Sequence, residues 1–186
     1  MLEIRWHGRG GQGAVTSVEL LALSAIEEEK YAQGFPSFGP ERRGAPVTAF
    51  NRVDDRQIKI RSGIYHPDVV VVLDESLVGL VDVAEGLKTT GILLINTTKT
   101  LAELKKNIRF EGRIATCDAT GIAWKELGVP ITNTTMLGAL VKLTGAVKLE
   151  SLDGPIKGRF GRIAPKNQAA AKRAYEEVRI ISQGSK

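Results

Sequence analysis

The chain has 186 residues, with a hydrophobic fraction of 42% and a charged fraction of 25%, enough for one compact domain and too ordinary in composition for global disorder. Its net charge of +5 is uneven: residues 142–186 hold ten Lys or Arg against four Asp or Glu, so everything before them sums to −1. Those basic residues lie among Gly, Pro and Ala without an aromatic platform or a reading helix, which argues against nucleic acid as the partner.

No apolar run approaches the roughly 20 residues of a membrane helix. The start, Met1-Leu2-Glu3-Ile4-Arg5, lacks the basic-then-apolar layout of a signal peptide, so a cytoplasmic protein is expected. Cys117 is the one cysteine. It has no internal disulfide partner, and an iron–sulfur cluster normally takes about four thiolates. His7 and His66 do not stand at metal spacing from it, so no metal site is expected within the chain.

Leu2 to Trp6 reads as a strand running into the glycine cluster Gly8-Arg9-Gly10-Gly11-Gln12-Gly13. A helix is predicted over Gln12 to Glu29, with Ala14, Val18, Leu21, Ala22 and Ala25 on one face. Gly34 to Pro46 holds three of the seven prolines and is predicted to be a loop. Val47 to Val53 and Gln57 to Arg61 alternate in polarity around Asp54-Asp55, the pattern of a hairpin. Val69 to Leu73 is a β-branched run suited to a strand covered on both faces. A weak helix (Leu77 to Leu87), a strand (Ile92 to Ile95), a Lys-rich helix (Leu101 to Lys106), a strand ending at Cys117 and a short helix (Gly121 to Leu127) follow. Thr132 to Thr135 can cap a helix over Met136 to Thr144, and Pro165 opens a last helix. Alternating strands and helices predict an α/β fold: a single Rossmann-like domain over residues 1–186, with a mainly parallel sheet, helices on both faces and a β-hairpin insertion.

Gly8, Gly10 and Gly13 have the spacing of a dinucleotide-binding turn in the right context, strand before and helix after. Such a turn directs backbone N–H groups and a helix N-terminus at an anion. The acid that would hold a ribose about 20 residues later is missing, since Tyr31, Gln33, Gly34 and Phe35 occupy that region. The glycines can equally serve only a tight turn, a phosphate-bearing ligand or a partner surface. The Phe35-to-Pro46 stretch, with Phe38, Glu41, Arg42 and Arg43, is either a surface loop with its rings tucked inward or an interface element, because aromatic anchors and arginine are enriched at protein contacts. Asp74-Glu75-Ser76, Asn96-Thr97-Thr98, Asp118-Ala119-Thr120 and Thr132-Asn133-Thr134 follow strands or precede helices, where polar residues hold ligands or cap helices. His7 closes the first strand as a proton carrier or a packed, hydrogen-bonded side chain. No catalytic residue set is found.

The glycine cluster, taken with Phe35-Pro36-Ser37-Phe38-Gly39-Pro40-Glu41-Arg42-Arg43-Gly44-Ala45-Pro46-Val47, resembles the gamma subunit of 2-oxoacid:ferredoxin oxidoreductases. The likeness continues through Pro67 to Leu73, Asp118-Ala119-Thr120 and Pro130 to Thr134. The resemblance implies an assembly with alpha, beta and delta subunits, separate or fused. Its thiamine diphosphate and magnesium lie between other subunits, its iron–sulfur clusters lie outside gamma, and electrons pass to ferredoxin. The implied reaction converts pyruvate and coenzyme A to acetyl-CoA and carbon dioxide. This chain alone is expected to bind none of those cofactors; gamma is implied to be a scaffold, with Gly8, Gly10, Gly11, Gln12, Gly13, Asn96 and Asn133 as candidate contacts to coenzyme A. The competing reading is a stand-alone Rossmann-like nucleotide- or flavin-binding protein.

Overall fold

The computed structural model describes residues 1–37 and 44–183. In chain order the elements are β1 (Leu2–Arg9), α1 (Ala14–Glu27), β2 (Tyr31–Pro36), β3 (Pro46–Asp54), β4 (Val69–Val72), β5 (Ile92–Asn96), α2 (Leu101–Leu104), β6 (Arg113–Cys117), α3 (Ala119–Leu127), α4 (Asn133–Thr144), α5 (Asp153–Phe160), α6 (Ala164–Glu177) and β7 (Arg179–Gln183). Seven strands form one sheet in the order β2-β3-β1-β4-β5-β6-β7. The inner strands β1, β4, β5 and β6 are parallel, and β3 and β7 flank them antiparallel.

Strand alternation divides the core in two. Ile4, Trp6, Val69, Val71 and Leu94 point into a layer shared with α1, α3, α4, α5 and α6. Val70, Val72, Leu93 and Ile95 point the other way, against Leu77, Val83, Leu104 and Phe110. The expected helical cover on both faces is therefore uneven, with every long helix on one side. The second side has the single turn of α2, a 3₁₀ turn over Glu75–Gly79 and irregular chain. Among the described residues no helix is long and apolar enough to cross a membrane.

The structure corrects several expected boundaries. The hairpin is β2 paired with β3, not Val47–Val53 with Gln57–Arg61. Tyr31–Pro36 was hidden by its Gly and Pro, which an edge strand tolerates because one side of its backbone needs no partner. Residues 57–64 instead cross the sheet, where the carbonyls of Ser62 and Gly63 accept from Arg52. The helix expected over Leu77 to Leu87 shrinks to the 3₁₀ turn, with Gly86 at φ 68° ending any regularity. The strand β7 and helix α5 carried too little periodicity to be read.

Packing among the long helices is tightest between α4 and α6. A Cβ placed on Gly138 would fall inside the radius of the Ala171 carbonyl oxygen. The Gly138→Ala protein is therefore expected to lose roughly 1–3 kcal/mol of stability, the usual cost of overpacking a rigid contact, measurable by urea unfolding. Gly145→Ala, which meets no neighbour but has φ 60°, separates backbone strain from the steric effect.

Candidate functional site

The carboxyl ends of the parallel strands open on one edge of the sheet, where Gln12, Asp74, Glu75, Asn96, Thr97 and Thr120 help line a cleft of about 480 Å³. Its organising group is Asp74. One carboxylate oxygen accepts from Gln12 Nε2 at 2.8 Å and Arg9 Nε at 3.2 Å; the other accepts from the Ser76 amide at 2.9 Å. Burial alone would raise this carboxyl, but hydrogen bonds from Ser76 and Gln12 and the Arg9 charge outweigh it and hold the pKa below the ordinary carboxylate value. Arg9 also reaches the Gly44 carbonyl at 3.0 Å and the Ser76 hydroxyl at 2.8 Å, so one guanidinium joins the glycine turn to β4 and to the base of the β2–β3 connection.

Asn96 works as a staple. Its Nδ2 donates to Leu73 O at 2.8 Å and Thr120 Oγ1 at 2.9 Å, and its Oδ1 accepts from the Thr120 amide at 3.2 Å. Asp118 caps α3 through the Gly121 amide, and Thr97 donates to Glu75. With Asp74, Glu75 and Asp118 on its walls, the cleft itself is acidic.

Beside it lies a spot of opposite character. At the N-termini of α1 and α4 no N-cap side-chain bond is made and the first turn holds no acidic residue, so no charge opposes the positive end of either helix dipole. At α4, however, the Asn133 carboxamide oxygen accepts from the Thr134 amide at 2.8 Å and the first turn is buried, which leaves the start of α1 as the open one. The helices meet where Gly13 faces Asn133. A Cβ on Gly13 would sit 2.5 Å from Asn133 Nδ2, and φ of 82° independently favours glycine there. Within the turn, Gly10 N donates to Ala45 O and Gln12 N to Arg9 O, so part of the backbone that a diphosphate cradle uses is already spent on the protein.

The family model for pyruvate ferredoxin/flavodoxin oxidoreductase matches residues 3–177. This chain belongs to that family. The pyruvate/ketoisovalerate oxidoreductases common subunit gamma of Thermococcus kodakarensis is 55% identical, over 96% of this chain and 97% of that protein. The pyruvate synthase subunit PorC of Methanothermobacter marburgensis is 53% identical over 96% and 98%. The crystal structure of pyruvate oxidoreductase subunit PORC from Thermotoga maritima superposes with a TM-score of 0.87 at 45% identity, covering 96% and 97% of the two chains.

The pyruvate ferredoxin/flavodoxin oxidoreductase fold here departs from a dinucleotide-binding one in a way that explains the missing ribose acid. Because β2 is antiparallel to β3 and β3 to β1, β2 runs alongside β1 in direction but with β3 wedged between. The end of β2 lies two strand spacings, about 10 Å, from β1, so an acid there would stand too far from the glycine turn to serve it.

Of the predicted contacts, Gln12 and Asn96 line the cleft, Gly11 sits in open space beside it with φ of 96°, and Gly8 packs against Leu73. Asn133 is buried under Gly13, away from the cleft lining. Phe35 stacks on Phe50 at 5.4 Å, with the Arg52 guanidinium 5.6 Å from its ring centre; Phe38, Glu41, Arg42 and Arg43 lie outside the described residues. Cys117 is buried at the end of β6, and burial, then Glu177 and Asp118, pushes its thiol up to about 12, which removes it as a nucleophile. Sequence reasoning missed Arg9 as a tie, because arginine in a glycine turn signals only bulk until its carboxylate is located across the strand order.

His7 takes the packed reading. Arg5 Nε donates to its Nε2 at 3.0 Å, which puts the imidazole proton on Nδ1. Burial, then the Arg5 charge, holds its pKa down at about 3. That lies below the 6.5 of an ordinary imidazole, so the unfolded chain takes up a proton the folded chain refuses. Stability should be full above about pH 6.5 and fall by roughly 1–2 kcal/mol between pH 7 and pH 5. Urea unfolding of wild type against His7→Asn measures it, and the variant should lose most of that slope.

Proposed function

We propose that this chain is the gamma subunit of a multi-subunit pyruvate:ferredoxin oxidoreductase, which converts pyruvate and coenzyme A to acetyl-CoA and carbon dioxide and passes the electrons to ferredoxin. The observation that carries this reading is identity above half across nearly the whole length of proteins named as that subunit. The chain's own chemistry agrees with a supporting role. Its single cysteine is a buried thiol held protonated, and an iron–sulfur cluster takes about four thiolates. The clusters are therefore assigned to partner polypeptides, and the resemblance to gamma subunits extends that assignment to thiamine diphosphate with magnesium, on alpha, beta and delta partners, separate or fused. The Phe35-to-Arg43 stretch, with Phe38, Glu41, Arg42 and Arg43, is assigned to contact with them.

For this chain's own share we propose the coenzyme A side. The buried Gly8 and Asn133 hold the glycine turn in place. The N-terminus of α1, with the exposed Gly11 and the half-exposed Gly10 and Gly13 around it, fits a diphosphate. The adjoining cleft does not, because Asp74, Glu75 and Asp118 would repel it; its Gln12, Asn96 and threonine groups fit the uncharged, amide-bearing arm. Coenzyme A bound so supplies the acyl-accepting thiol, while this chain orients and shields it. A second substrate reading rests on the names of the archaeal relatives, which are common subunits of pyruvate and ketoisovalerate enzymes. It makes this gamma a component of both.

Isolation of the native assembly should give the chain together with its partner polypeptides and dye-reducing activity on pyruvate. Activity on 2-oxoisovalerate in a separable complex containing the same chain supports the shared-subunit reading, and its absence rejects that reading. In the assembly, Gly11→Asp places a carboxylate beside the α1 N-terminus, and Gly11→Asn, which carries the same backbone strain at φ 96° without the charge, is its control. Against that control, Gly11→Asp should raise KM for coenzyme A about tenfold with KM for pyruvate unchanged. An unchanged KM for coenzyme A contradicts the assignment.

A further inference from the structure

Away from the carboxyl-edge cleft, on the face without long helices, Arg5, His7, Thr48, Phe50, Ile64 and Tyr65 help line a second cavity of about 470 Å³. Arg5 and His7 form its buried floor, 9% and 8% exposed. The Arg5 guanidinium is bonded by Nε to His7 and by Nη2 to the main-chain carbonyls of Val83 and Glu85. No carboxylate of the described residues forms an ion pair with it. Arg52, on the same face of the sheet and also buried, shows the usual arrangement, with Glu3 at 2.9 Å. The Arg5 charge is instead balanced at longer range by the Glu85 and Asp82 carboxylates at the cavity rim, so no acceptor-bearing carboxylate of the described residues sits on the buried guanidinium itself.

Two donors of this floor are unspent. Arg5 Nη1 makes no hydrogen bond among the described residues, and neither does His7 Nδ1, which carries the proton because Nε2 accepts from an arginine that can only donate. Thr48 stands opposite His7 in the strand register. A donor-only floor selects an acceptor-only ligand. The mouth limits its charge, since Asp82 and Glu85 line the same cavity and are exposed; they would repel a doubly charged phosphate more than a monoanion. Phe50, Ile64 and Tyr65 provide apolar walls for a hydrocarbon body.

We infer that the Arg5–His7 cavity is a binding site for a monocarboxylate with a short apolar body, either a free acid or a carboxyl group presented by a neighbouring polypeptide. The inference stands on the isolated chain and does not depend on the coenzyme A assignment. The chain has two histidines, so histidine-labelled NMR of the full-length protein reads the site directly. Titration with isovalerate should move the His7 Nδ1 proton downfield with saturation and leave His66 in place. Arg5→Lys should weaken the effect about tenfold or more, the scale of one charge-assisted hydrogen bond. A shift with isovalerate identifies a small-acid site. A shift of His7 only on assembly with the partner subunits, abolished in Arg5→Lys, identifies a carboxyl group from a neighbour. No movement in either arm, or equal movement with inorganic phosphate, overturns the inference. The wild-type titration decides even if Arg5→Lys fails to fold.

Discussion

The close seating of α4 between α1 and α6 is the constraint on which the molecule's functional edge depends. Gly138 lets α4 approach the backbone of α6 at Ala171, and Gly13 lets the start of α1 approach Asn133 at the start of α4. Both contacts work because a side chain is absent. Together they set the open N-terminus of α1 over the buried start of α4, beside the carboxyl ends of β1 and β4. A side chain at Gly13 would push the start of α1 off α4, and one at Gly138 would push α4 off α6.

Next to that spot the sheet is tied shut by Asp74, which binds Arg9 and Gln12 from the glycine turn and Ser76 from its own. The result is an edge with an electropositive helix start and an acidic cleft side by side. A surface of that kind orients a long ligand with unlike ends, and it does so without a nucleophile, an acid–base pair or a thiolate. The buried, protonated Cys117 and the proton-locked His7 reinforce the point, since the groups most often recruited for chemistry are here committed to structure. A supporting subunit that positions a co-substrate for reactions carried out by its partners is consistent with each of these features.

Much of this was legible in the sequence, and for identifiable reasons. The central strands showed because Val69–Val72 and Ile92–Asn96 are buried on both faces and need apolar residues throughout. The helices α1 and α6 showed because each buries one stripe, and α4, buried on all sides over Asn133–Val141, showed through its apolar run and the polar residues that open it. What stayed hidden depended on distant partners. Tyr31–Pro36 is a strand only because β3 returns to pair with it. Arg9 and Asp74 meet only because β4 lies next to β1. The Arg5–His7 floor was invisible because its meaning lies in the ion pair that Arg5 lacks. Of the candidate contacts, Gln12 and Asn96 reach the cleft, whereas Asn133 and Gly13 build the helix junction behind it.

The central claim is that this chain contributes position and not electrons. Removing it from the purified assembly and adding it back tests that claim most directly. The account predicts that the remaining subunits keep their bound cofactors but lose coenzyme A-dependent dye reduction with pyruvate, that adding back the refolded chain restores it, and that the chain alone reduces no dye. Full coenzyme A-dependent activity in the depleted assembly, or turnover by the chain alone, would contradict it.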